Sequence, residues 1–254
     1  MREKTVFRDR GRNPRSFFVH YRAKGVEMAV TIYCVHTVRG LDERMDSLIR
    51  EAIPGDVKVL HIIDEGLIRR VLAEGGLNKA VRRRFFDNVI AAEEAGADIV
   101  QVTCSSVTPA IACVRQLVDI PVFSIDEPMA RRAVSEHGRI GVMATNPGTL
   151  NPSNELLHSV AEVMDKKVEI EPVLCKGAYE ALLGGDKERH DEIVKDYFRK
   201  LEDRVEAVVL AQASMARIID SMEEEERSIP TYTSPGLAVD ALAQFIRNSK
   251  EYRT

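Results

Sequence analysis

The sequence predicts an α/β protein of two similar lobes, each a parallel sheet flanked by helices, with a cleft between them. Three observations carry this. Strand-like runs alternate with helical stretches along most of the chain, the pattern of βαβ units with right-handed crossovers. Most of these strands are continuous apolar runs, as in sheets covered on both faces. The pattern also repeats itself after about 108 residues, the offset from Thr37 to Thr145.

The elements follow in order. Residues 1–27 are rich in Arg and Lys, lack periodicity and lack the apolar stretch of a signal peptide, so they are read as a disordered basic extension. The first lobe is expected over 28–136. It opens with a β-branched strand, Ala29 to Val35, a helix from about Leu41 to Ala52, and a second strand, Val57 to Ile63. Helices at about Leu67–Glu74 and Lys79–Ala95 are separated by Gly75-Gly76, and Gly96 stops the second. The strand Ala97 to Val102 runs into Thr103-Cys104-Ser105-Ser106, and a helix with Pro109 near its start continues to about Leu117. A short strand, Ile120 to Ser124, precedes Asp126-Glu127-Pro128, read as the cap of a helix from Met129 to Glu136.

His137-Gly138 breaks the pattern, and the second lobe is expected over 137–235. Its strands are Arg139–Ala144, Lys167–Val173, Glu206–Ala211 and Ile229–Thr233. Its helices are Leu150–Met164, Ala178–Leu183, Glu188–Val205 and Ser214–Met222, the last followed by an acidic run read as a solvated end. Pro235 opens a final helix, within 236–248, that returns to the first lobe.

The repeat is anchored at strand ends. Thr31–Thr37 aligns with Arg139–Thr145 and Ala97–Cys104 with Val205–Gln212, both at offset 108, and Ile120–Ser124 aligns with Ile229–Thr233 at 109. In open α/β sheets ligands bind beyond the carboxyl ends of the strands. The candidate cleft is therefore lined by Thr37, Cys104, Ser105 and Ser106 from one lobe and by Thr145, Gln212, Ala213 and Ser214 from the other. His36, Asp64 and Cys175 lie at further strand ends and are weaker candidates, Asp64 being also a natural helix cap. A helix start favours a thiolate and binds anions, so Cys104 stands where a thiolate and a substrate carboxylate can meet. The opposing reading is a packed structural thiol.

Composition limits the functional classes. The net charge of −4 argues against nucleic acid as the main partner, and no apolar run is long enough to span a bilayer. Four cysteines without a CxxC spacing fit free thiols in a reducing, cytoplasmic setting and no metal site.

These blocks, Thr103-Cys104-Ser105-Ser106, Arg139 to Thr145, Val208 to Ser214 and Thr233-Ser234-Pro235, resemble the aspartate/glutamate/hydantoin racemase superfamily from about Met28 onward. The resemblance implies two pseudo-symmetric lobes, no cofactor, a small carboxylate or amino-acid substrate, and a cysteine in each lobe that removes or returns the proton α to the carboxylate. Surface helices in such enzymes often pair, so a homo-oligomer is expected. One departure stands out. Cys104 matches the first-lobe cysteine, but the second-lobe position is Gln212, which has no titratable proton. The superfamily also holds single-cysteine members, notably arylmalonate decarboxylase, with its thiol in the other lobe. A decarboxylase, a cis–trans isomerase of a small dicarboxylate, or a carboxylate-binding module without catalysis are the alternatives to a racemase.

Overall fold

The computed structural model describes residues 29–212, 215, 218, 221–223 and 228–251, with side chains up to 249. The basic extension, Ala213, Ser214 and most of the stretch read as the Ser214–Met222 helix with its acidic run lie outside the described residues.

The first half contains β1 (Val30–His36), α1 (Leu41–Ala52), β2 (Val57–Ile63), α2 (Glu65–Ala73), α3 (Lys79–Glu94), β3 (Ile99–Val102), a 3-10 turn (Ser105–Val107), α4 (Thr108–Val114), β4 (Val122–Ser124) and α5 (Glu127–Glu136). The second contains β5 (Arg139–Ala144), α6 (Pro147–Val163), β6 (Glu169–Leu174), α7 (Ala178–Leu183), α8 (Lys187–Glu202), β7 (Ala207–Leu210), β8 (Thr231–Thr233) and α9 (Ser234–Glu251). Two four-stranded parallel sheets result, ordered β2-β1-β3-β4 and β6-β5-β7-β8. Among the described residues no helix is long and apolar enough to cross a membrane.

The two sheets share the register of their central strand pairs, β1 with β3 and β5 with β7. Thr103 N–H donates to the Val35 carbonyl as Ala211 N–H does to Met143, and Asp98 N–H donates to Thr31 as Glu206 N–H does to Arg139. Ile32 pairs with Ile99 as Ile140 pairs with Ala207. Each of these matches has the 108-residue offset found in the sequence. The alignment is thus a property of main-chain pairing and not of shared apolar rhythm alone.

Each sheet is covered on both faces. The first carries Val81, Phe85 and Val89 of α3 and Ile111 of α4 on one side, and Met45 and Ile49 of α1 on the other. The second carries Leu157 and Val160 of α6 on one side, and Val194, Phe198 and Leu201 of α8 on the other. Phe85 and Phe198 are wholly buried, each contributing about 2–3 kcal/mol of transfer free energy. Gly141 on β5 serves a close approach: a Cβ there would lie 2.5 Å from Leu201 Cδ2.

The helices at the ends of the halves change sides. α5 follows the first sheet in the chain, yet Met129, Ala130, Ala133 and Val134 are buried with Ile140 and Val142 of the second. α9 follows the second sheet, yet Ala238, Val239, Leu242 and Ala243 are buried with Ile32, Met45 and Ile49 of the first. Chain order would leave α5 in the first lobe, within the expected 28–136 boundary, but its apolar face completes the second core. Helix ends also shift from the expected bounds. α6 starts at Pro147 and accommodates Pro152, and α9 starts at Ser234, where Pro235 is tolerated because first-turn N–H groups have no helical partner.

Candidate active site

β3 ends at Val102, and the chain stays extended through Cys104 (φ −123°, ψ 114°) before tightening into the 3-10 turn. This brings the N–H groups of Ser106 and Val107, and the hydroxyl of Thr37 from the end of β1, to the side of the Cys104 sulfur, while the Val107 N–H also donates to the Cys104 carbonyl at 3.3 Å. These donors favour a thiolate. Burial outweighs them and, with the nearby charge of Asp126 added, raises the Cys104 pKa above its ordinary value. The helix-start argument expects a lowered pKa. It fails because Cys104 is only 8% exposed and the helix that follows is short.

The second lobe repeats the arrangement with different chemistry. Thr145, the counterpart of Thr37, donates its N–H (2.6 Å) and its hydroxyl (2.9 Å) to Gln212 Oε1. With its oxygen so held, the Gln212 amide turns its NH2 away from Thr145. Thr37 thus stands to Cys104 as Thr145 stands to Gln212, a hydroxyl at the end of the central strand beside the group at the end of the neighbouring one.

The two strand ends meet. Ser105 Oγ lies 3.0 Å from the Ala211 carbonyl oxygen across the lobe junction and 3.1 Å from Asp126 Oδ1. Ser105 is thereby engaged in joining the lobes. Thr108 Oγ1 donates to the other carboxylate oxygen of Asp126 at 3.1 Å. Asp126, read from sequence as a helix cap, makes no side-chain cap bond. It is buried, and burial pushes its pKa up to about 6 against the pull of the Ser105 and Thr108 hydroxyls. Sequence reasoning missed this role; the one available signal was its place just beyond the carboxyl end of β4.

The weaker candidates have partners inside their own lobes. His36 is fully buried, with Nδ1 2.8 Å from Thr103 Oγ1 and Nε2 2.9 Å from His61 Nδ1. Burial and the neighbouring His61 lower its pKa to about 4. Asp64 caps α2 through the Leu67 N–H and receives a bidentate Arg84 (2.6 Å for both bonds) and Asn88 (3.0 Å). Cys175 is packed with Met143 and Met215, and burial raises its pKa to about 12. A thiol so protonated in an apolar core is a packing group. Ser106 is buried in the Cys104 turn. Ala213 and Ser214 lie outside the described residues.

Two four-stranded parallel sheets of matching register, each flanked by helices, define the class as a two-lobed α/β protein. The chain belongs to the Asp/Glu/hydantoin racemase family, whose model matches residues 43–242, and it is an enzyme of the racemase type. Its fold is similar to that of a glutamate racemase isoform from Bacillus anthracis (17% identity, TM-score 0.68, covering 88% of this chain and 83% of that one). It is also similar to glutamate racemase from Francisella tularensis in complex with D-glutamate (16%, TM-score 0.69, 87% and 81%) and to allantoin racemase from Klebsiella pneumoniae (19%, TM-score 0.62, 87% and 89%). No curated protein matches the sequence.

Proposed function

We propose that the chain transfers a proton at the α-carbon of a small carboxylate or amino acid, with Cys104 as the acid/base group. The observation that carries this reading is the Cys104 thiol in the turn beyond β3, with the Gln212 amide at the equivalent strand end of the other lobe. As the thiolate it takes the α-proton and becomes the thiol, and the electron pair of the C–H bond moves into an enediolate. That second negative charge requires donors already in place. Donors at the Cys104 turn and the Gln212 amide serve that purpose. The thiol then returns the proton.

Gln212 at the second thiol's position favours a further reading. One thiol protonates from one face, and a raised pKa leaves Cys104 carrying its proton in the free protein. That suits a decarboxylation. Loss of carbon dioxide leaves its bonding pair on the α-carbon as an enediolate, Cys104 donates its proton there, and water restores the thiol. Isomerisation of a small dicarboxylate would start instead with thiolate addition to the double bond.

The test is incubation in deuterated water with a panel of amino and dicarboxylic acids, beginning with glutamate, and with allantoin as a hydantoin comparison, both named for the structural neighbours. Deuterium incorporation or carbon dioxide release that disappears in Cys104→Ser is expected. Ligand stabilisation in thermal-shift assays without any turnover, unchanged in Cys104→Ser, would replace the proposal with a binding function.

A further inference from the structure

We infer that the first lobe holds a transition-metal site of zinc type, with Cys34, the His36 Nε2 and the His61 Nδ1 as its three protein ligands. Sequence spacing does not display it, because the three residues come together only through sheet register. Cys34 and His36 are two apart on β1 and so share a face. His61 on β2 is paired directly with Cys34. Their ligand atoms all lie within 4.8 Å of one another. Metal–sulfur and metal–nitrogen bonds of roughly 2.3 and 2.0–2.1 Å put tetrahedral ligands roughly 3.3–3.7 Å apart. Side-chain shifts of about 1 Å therefore close the set around one ion. One thiolate and two imidazoles with a fourth position left for water or a carboxylate are a borderline-soft donor set that suits Zn2+ and Co2+.

In the metal-free protein the His61 Nδ1–H donates to His36 Nε2 at 2.9 Å, and an ion would replace that proton, moving it to His61 Nε2 on the Asp46 side; the remaining contacts of the rings suit a metal site. The Thr103 hydroxyl donates to the Val35 carbonyl at 3.1 Å, so its oxygen accepts from His36 Nδ1–H. That assigns the ring proton to Nδ1 and leaves the lone pair on Nε2, toward His61 and Cys34. The far nitrogen of His61, Nε2, faces the Asp46 carboxylate at 3.7 Å. Asp46 is itself fixed by Arg50 through two bonds of 2.6 and 3.0 Å. Carboxylate behind one imidazole and hydroxyl behind the other is the outer arrangement that orients metal-bound histidines. Entry is from the side of His61 and Asp46, whose side chains keep 23% and 32% of their exposure, whereas Cys34 and His36 are fully buried.

The place is consequential. His36 precedes Thr37, whose hydroxyl lies beside the Cys104 sulfur, and bonds Thr103, which precedes Cys104. An ion on His36 would stiffen both supports of the Cys104 turn without touching substrate.

The experiment is a titration of the full-length, chelator-treated, thiol-reduced protein with Co2+, followed by displacement with Zn2+. The expected result is one equivalent bound, tetrahedral visible bands and a thiolate-to-cobalt charge-transfer band. That band should vanish in Cys34→Ser and persist in Cys104→Ser. His61→Ala, at a partly exposed position, should keep the native circular dichroism and bind at least about tenfold more weakly. Absence of stoichiometric binding overturns the inference, as does a charge-transfer band lost in Cys104→Ser but kept in Cys34→Ser. These readouts are independent of turnover, so they stand whatever the fate of the proton-transfer proposal.

Discussion

Asp126→Asn isolates the energetic cost of the carboxylate at the lobe junction. The wild-type group is 1% exposed and titrates near 6 instead of the ordinary 3.8, because burial disfavours its charge. The shift of roughly two units corresponds to about 3 kcal/mol. Its sign is fixed by linkage. The folded state holds this proton more tightly than the unfolded chain. The stabilising effect of the proton is therefore complete below pH 3.8 and lost as pH rises through about 6. Hydrogen bonding moves with it. A protonated carboxyl can donate to Ser105 Oγ, which frees the Ser105 proton for the Ala211 carbonyl; the ionised carboxylate draws that proton back and removes a bond between the lobes. Asn keeps the shape and cannot ionise. Urea denaturation of both proteins from about pH 4 to about pH 7.5 should show the wild type losing about 3 kcal/mol relative to Asp126→Asn. Shifts at Asp42, Asp46 and Asp64 act in the opposite direction in both proteins and cancel in the difference. A wild-type-minus-variant difference that stays flat across this range would refute the reasoning.

Other outcomes follow from single contacts. Gly141→Ala drives a methyl into Leu201 and should destabilise by about 1–3 kcal/mol, read as a lower urea midpoint at unchanged slope. Arg84→Ala leaves the nearly buried Asp64 without its cation and should cost about 1–3 kcal/mol at neutral pH. Since Asp64 has a depressed pKa, that loss should fade as pH falls below 3.8, which a pH series of melts would check. Thr145→Val removes the hydroxyl that holds Gln212 Oε1, and a KM about tenfold higher with an unchanged melting temperature is expected once a substrate is in hand.

Much of the fold was readable because its determinants are local or periodic. α1 and α7 coincide with the expected Leu41–Ala52 and Ala178–Leu183, and β2 and β5 coincide with their apolar runs. The 108-residue repeat was readable because equivalent main-chain bonds demand equivalent spacing at Thr103 and Ala211. The return of the final helix to the first lobe was expected, but the crossing of α5 to the second was not. Met129 and Ala133 announce an apolar face but do not say which sheet will cover it. At the site, Thr37, Cys104, Thr145 and Gln212 stood out as strand-end residues, and the structure adds that Thr145 is bonded to Gln212 Oε1. Asp126 stands at the N-cap of α5 as expected, but its side-chain role was not readable because a cap is a local inference, whereas its partners Ser105 and Thr108 are 21 and 18 residues away. The Cys34–His36–His61 grouping required the register of β1 on β2, which no one-strand pattern contains.

The crossing of the terminal helices bears on how such a molecule could arise and be divided. A single half of this chain would have one sheet face only partly covered and one helix with nowhere to pack. Two copies of such a half would complete one another by trading that helix, a reciprocal swap. Fusion of the two copies at the stretch between α5 and β5 would then yield the present chain. The same reasoning describes a split protein: severed at His137-Gly138, the fragments should be unstable apart and should reassemble when mixed, each supplying the other's missing wall.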